Sequence, residues 1–291
     1  MMWCHLWIKS ILTICLHPHT SYLAGSFGSY AEDVSDLISH LGLHKVIHIG
    51  TSGGGPYACA CAALLPHSTA ALGLVASMTH CAGPGSSHLV QGMDCFNRIG
   101  FSCIAYAPLL TSLGLALAAP FVRVTAAAAS AAVDATDRTA AGSVYSSGGG
   151  SQGGVQLAGI ASVVGKAALW LAGATLPRPD RAALMQQPRK FLRILPAALA
   201  DSFCQGSRGV FADMRSTTLP WDLNLSSINA PTVVFQGDAD VNVTVNMAQW
   251  LQQQIPGAEL RLLPDEAHFS LVANHSADML SELLSKVHRT T

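Results

Sequence analysis

"HIGTSGGGPYACACAALL", residues 48–65, places a serine between glycines, directly after a run of strand-forming residues. Gly50-Thr51-Ser52-Gly53-Gly54 fits the pattern G-x-S-x-G. The pattern carries chemical meaning only where a strand precedes the serine and a helix follows it. Both conditions are met. "KVIHIG", 45–50, reads as a short buried strand, and residues from about Pro56 to Leu65 read as a helix stopped at Pro66. The reason for the glycines is steric. A sharp strand-to-helix elbow strains the serine backbone and crowds its neighbours, so side chains at Gly50 and Gly54 are expected to clash. Alone, Ser52 is equally one small residue in a glycine-rich turn; as a nucleophile it needs a base, an acid and an oxyanion hole.

Outward from this stretch, "SFGSYAEDVSDLISHLGL" reads as a helix. Ser29 and Glu32 have capping-box spacing, Tyr30, Val34, Leu37, Ile38 and Leu41 share a face, and Gly42 marks the stop. "AALGLVAS", 70–77, is a second buried strand. Strand, helix and strand without hairpin turns imply a parallel sheet with a crossover helix. After Ser77 the alternation breaks: helical stretches are expected at about 99–122, 155–173 and 189–213. Residues 124–154, "VTAAAASAAVDATDRTAAGSVYSSGGGSQGG", hold few large apolar side chains to offset the entropy of ordering, which predicts a flexible loop. From Pro231 the alternation returns: strand "TVVFQG", a helix from about Thr244 to Ile255, strand "ELRLL", loop "PDEAHFS", and a closing helix from about Ser276 to Val287. The chain therefore divides into a first half of a core at 1–80, a helical cap or lid at 81–226 with a disordered 124–154, and a second half of the core at 227–291.

At 291 residues the chain suits one large domain, or one domain carrying a large insertion. Half the residues are apolar, 11% are charged, and the net charge is −1. That balance, with no basic run, excludes a nucleic-acid binder. The eight cysteines form no C-x-x-C pair and lie in apolar stretches, the pattern of buried free thiols in a reducing compartment. Cys59 and Cys61, on a helix, point to different faces, so no metal is expected. "CIAYAPLLTSLGLALAAPFV" is long and apolar enough for a membrane span, but Pro108, Pro120 and sparse basic flanks favour a lid helix. Residues 1–16 lack the charge order and cleavage site of a signal peptide and read as a buried strand at Ile11–Leu16. A soluble protein of the cytoplasm or an organelle is expected.

The partners Ser52 needs lie at later strand ends. "FQGDADVNV" offers Asp238 and Asp240 as acids just past a parallel strand, where sites in such sheets form. "PDEAHFS" offers His268 as base, again in a loop after a strand. The order Ser52, Asp240, His268 is the order that elbow chemistry uses. Singly, an N-cap aspartate and a surface histidine explain these residues as well; it is the constellation that points to chemistry.

Two blocks, "SYAEDVSDLISHLGLHKVIHIGTSGGGPYA" and "PTVVFQGDADVNVTVNMAQWLQQQIPGAELRLLPDEAHFSL", resemble the α/β-hydrolase superfamily over about residues 26–80 and 205–290. The resemblance implies a parallel sheet with helices on both faces and a helical cap insertion. Gly237-Asp238-Ala239-Asp240 matches the family's G-x-x-D, implying Asp240 as the triad acid, and His268-Phe269 matches its histidine loop. A serine at the elbow sets aside the dehalogenases and epoxide hydrolases of this fold, and the G-G-S-W-G elbow of proline iminopeptidases is absent. Esterases, lipases, thioesterases and C–C-bond hydrolases remain.

The family places its first four strands before the helix that precedes the elbow, whereas 28 residues precede Ser29 here. The expected sheet is therefore truncated at its amino-terminal side, with Ile11–Leu16 as substitute partner for the "KVIHI" strand. Gly53 supplies one oxyanion-hole N–H. The H-G-type loop that supplies the other has no match except "LHPHTS", 16–21, where proline removes a donor. The expected function is hydrolysis of a carboxylic ester or thioester of an apolar small molecule, with water as second substrate and no cofactor. One alternative is a catalytically impaired or inactive protein of this fold that binds a ligand or is a remnant. Another is membrane attachment through the apolar stretch or the amino terminus.

Overall fold

The computed structural model describes residues 26–142, 176–204 and 206–288. The expected strand at Ile11–Leu16, the 16–21 loop and the 155–173 helix lie outside the described residues. Four parallel strands, β1 (Val46–Thr51), β2 (Thr69–Val75), β3 (Thr232–Gly237) and β4 (Glu259–Leu263), pair in the order β1-β2-β3-β4. Among the described residues, β1 and β4 are therefore the edges. The interior strands read as unbroken apolar runs because helices cover both faces. Leu72, Leu74 and Val234 pack on one face against α2 (Gly55–Leu64) and α9 (Val245–Gln254). Val75, Val233 and Phe235 pack on the other against α10 (His268–His288). That approach is close: a Cβ on Gly73 would stand 2.5 Å from Leu283 Cδ1.

Between β2 and β3 the chain runs through α3 (Ser86–Leu89), α4 (Cys95–Tyr106), α5 (Pro108–Gly142), α6 (Arg178–Gln186), α7 (Pro188–Ser202) and α8 (Arg208–Thr218). The α5 helix packs along α7, while α6 packs against α10. The expected loop at 124–154 is corrected over its first part, since residues 124–142 continue α5. Alanine is the best helix former, and a segment with little to bury can propagate from a helix already nucleated. The span Pro108–Ala126 is long and apolar enough to cross a membrane and is 11% buried.

The first helix, α1 (Phe27–His40), corrects a second expectation. Its N-cap is Ser26, whose Oγ accepts from the Ser29 N–H at 3.1 Å, so Ser29 lies inside the helix rather than at its cap. The buried face is Phe27, Ala31 and Ile38, while Leu37 and Leu41 are more than half exposed. Phe27 selects this face by packing edge-on against Tyr57 of α2 at 5.0 Å. The cysteines also divide: Cys59, Cys61 and Cys81 are buried, and Cys95, Cys103 and Cys204 are exposed. Burial pushes each of the three inner thiols up to about 12, which keeps them protonated.

Candidate active site

Ser52 stands at the carboxyl end of β1 with φ +54°, in the left-handed region that non-glycine residues seldom occupy. The turn is tight because nothing larger than hydrogen fits at two neighbours. A Cβ on Gly50 would lie 2.6 Å from both the Gly54 carbonyl oxygen and Gly55 Cα. One on Gly55 would lie 1.7 Å from Ser77 Oγ. A steric demand falls on Gly50, as expected, and also on Gly55. At Gly54 the backbone is ordinary right-handed, φ −77° and ψ −14°, so its conformation does not require glycine. The Ser52 carbonyl accepts from the Met78 N–H at 3.0 Å, tying the elbow to the loop after β2. Gly53 follows with Met78 Sδ 3.9 Å from where its Cβ would be.

The acid and base corner is built by two loops laced together. At the end of β3, a Cβ on Gly237 would lie 2.2 Å from the Glu266 carbonyl, so only glycine lets the loops approach. Across that contact, the Ala239 N–H donates to the Glu266 carbonyl at 2.9 Å and the Asp265 N–H to Asp238 Oδ1 at 2.9 Å. Asp238 is thereby spent on loop structure. Asp240 is the residue brought to His268: His268 Nδ1 lies 2.9 Å from Asp240 Oδ2. Asp240 Oδ1 accepts from the Asn242 and Val243 N–H groups at 2.8 and 2.9 Å. An ionised carboxylate can only accept, so its pairing with His268 puts the proton on Nδ1 and leaves Nε2 as the basic nitrogen. Burial pulls the His268 pKa down, but the neighbouring charge of Asp240, its hydrogen bond and the charge of Asp180 outweigh burial and leave it raised.

No hydrogen bond joins His268 to Ser52 among the described residues. The elbow and the dyad share the carboxyl edge of the sheet. Met78 bridges them, bonding the elbow through its N–H and packing in one apolar cluster with Val243 of the Asp240 loop. Catalytic hydrogen bonds are often long in a protein without substrate and shorten when it binds.

One residue of this corner escapes sequence reasoning. Asp180, in α6, is fully buried, and its Oδ1 accepts from the Phe269 and Ser270 N–H groups at 2.8 Å each. The α10 helix begins at His268, eight residues before the expected Ser276, and has alanine in front of it where a capping side chain usually stands. Its cap comes from 89 and 90 positions upstream, where no local pattern can show it. Among the described residues, no group of three or more His, Cys, Asp or Glu could hold a metal ion.

No family model matches the chain, and no curated protein does. Solved structures do match its fold. The bromoperoxidase from Bacillus anthracis superposes with TM-score 0.53 at 13% identity, over 94% of this chain and 76% of that one. The esterase RhEst1 from Rhodococcus sp. ECU1013 gives 0.52 at 16% identity, over 93% and 74%. A thermophilic esterase from Thermogutta terrifontis gives 0.51 at 17% identity, over 91% and 74%. The chain has the α/β-hydrolase fold.

Proposed function

We propose that the protein is a serine hydrolase acting on a carboxylic ester or thioester of an apolar small molecule, with Ser52, His268 and Asp240 as its triad. The observation that carries this reading is the His268–Asp240 pair, oriented by the two amides on Asp240 and set on the same sheet edge as a strained serine. In the proposed reaction His268 Nε2 takes the Ser52 proton as Oγ attacks the carbonyl carbon. His268 then returns that proton to the departing alkoxide or thiolate as the tetrahedral intermediate collapses to an acyl-enzyme. Water, deprotonated by the same nitrogen, then attacks the acyl carbon; the bond to Ser52 Oγ breaks, the proton returns to that oxygen, and the acid is released. Asp240 stabilises the imidazolium through the Nδ1 bond, and the Gly53 N–H faces the oxyanion. Esterases among the fold neighbours support a hydrolase. The helices between β2 and β3 serve as the cap, and their apolar character suits an uncharged acyl group.

The test is a pre-steady-state assay with p-nitrophenyl esters of increasing chain length. Turnover of an ester through an acyl-enzyme gives a burst of p-nitrophenol stoichiometric with protein wherever deacylation is the slower step. A second reading, an α/β-hydrolase fold that binds without turnover, draws on the missing Ser52–His268 hydrogen bond. It predicts saturable ester binding with neither burst nor steady release.

A further inference from the structure

We propose that Asp180 is the positioning residue for His268, fixing the base from the helical region between β2 and β3. The inference rests on the hydrolase reading above, since it concerns the base of that reaction. A helix leaves its first N–H groups without intrahelical partners, and α10 has His268 as its first residue. Two of those groups, from Phe269 and Ser270, converge on one oxygen of Asp180. The Ser270 hydroxyl is engaged elsewhere, accepting from the Ala267 N–H at 2.8 Å. Asp180 therefore holds the two peptides that follow His268, as Asp240 holds its ring. A second tie runs beside it: the Phe191 ring of α7 meets the Phe269 ring edge-on at 6.2 Å.

The arrangement is costly for a purely structural cap. Asp180 is completely buried, and its Oδ2 has no hydrogen-bond partner among the described residues. Serine, threonine or asparagine would cap the helix without burying an ionisable group. What a carboxylate adds is charge. The charged groups acting on His268 are Asp240, from the loop after β3, and Asp180, from α6. Burial leaves the Asp180 pKa raised even against its two amide bonds and the charge of His268, and the neighbouring Asp240 adds to the rise. When His268 takes the serine proton, the Asp180 carboxyl group stands on the cap side, where its ionised form stabilises the cation.

The test compares Asp180→Asn, which keeps an oxygen for the two amides and removes the charge, with Asp180→Ala, which removes both. The primary readout is the titration of the His268 imidazole, followed by NMR of protein labelled in its histidines and assigned with His268→Ala. The expected result is a titration displaced to lower pH in Asp180→Asn with the fold intact. On the hydrolase reading, the acidic limb of kcat/KM moves with it, and kcat falls at least about tenfold in Asp180→Ala with KM little changed. An unchanged His268 titration in Asp180→Asn overturns the proposal, whatever happens to Tm, and leaves Asp180 a structural cap. Should Asp180→Ala fail to fold, Asp180→Asn decides alone. If wild-type protein neither labels nor turns over esters, the hydrolase reading fails, yet the titration still decides whether Asp180 governs His268.

Discussion

The two corners of the candidate site are built differently. The acid grows from β3, an interior strand buried at every position, the base follows β4, and their loops are laced by bonds that leave both Asp240 oxygens satisfied. The nucleophile corner grows from β1, which among the described residues pairs on one side only and is buried only at Gly50. Its serine is held by backbone shape, a positive φ between glycines without room for a Cβ, and among the described residues no side-chain bond holds it. Orientation of the proposed base is thus set by hydrogen bonds between two loops, while placement of the proposed nucleophile rests on close packing of the backbone.

This contrast can be strained at several points. The largest effect is expected from Asp240→Asn. An amide there favours the wrong imidazole tautomer, and kcat should fall by about 10⁴ with the fold retained. A loss of tenfold or less in an ester assay would mean that another carboxylate orients His268. Next come the glycines. Gly237→Ala drives a methyl into the Glu266 carbonyl, and it should lower the unfolding free energy by about 3 kcal/mol in urea titrations. Gly50→Ala also meets backbone, but β1 is less buried than β3 and freer to shift, so its cost should be smaller. The reverse order would show the nucleophile corner to be the more rigid of the two.

A smaller effect concerns the first turn of the elbow helix, where the Tyr57 hydroxyl donates to Asp213 Oδ1 at 2.8 Å. Burial outweighs that bond and raises Asp213 from 3.8 to about 6. Because the folded protein holds this proton more tightly than the unfolded chain, the associated stability is present below about pH 4 and is lost as pH rises through about 6. Asp213→Asn should therefore raise stability at pH 7.5 by about 2 kcal/mol and give little gain at pH 4. Equal gains at both pH values would exclude a titrating Asp213 as the cause.

Much of the fold was legible because its signals are local. The strands "VIHIGT", "TVVFQG" and "ELRLL" are short apolar runs bounded by turns, and the glycine at 50 announces the elbow beside it. What escaped was set by distant contacts. The burial face of α1 is decided by Tyr57, the role of Gly55 by Ser77, and the start of α10 by Asp180. Residues 124–142 differ from the expected loop for another reason: their side chains offer little to bury, but alanine propagates a helix already begun. Asp238 and Asp240 illustrate the boundary. The pattern G-x-x-D singles out the second, but only the laced loops show why the first is occupied elsewhere.

The central claim is that Ser52 and the His268–Asp240 pair act as one nucleophilic unit. The most direct measurement is covalent labelling of the purified protein by a fluorophosphonate, comparing the native chain with Ser52→Ala and His268→Ala. The account predicts stoichiometric labelling of the native protein, none in Ser52→Ala and a rate lowered by at least about 10³ in His268→Ala. Folded native protein that does not label, or labelling that survives in Ser52→Ala, would contradict it.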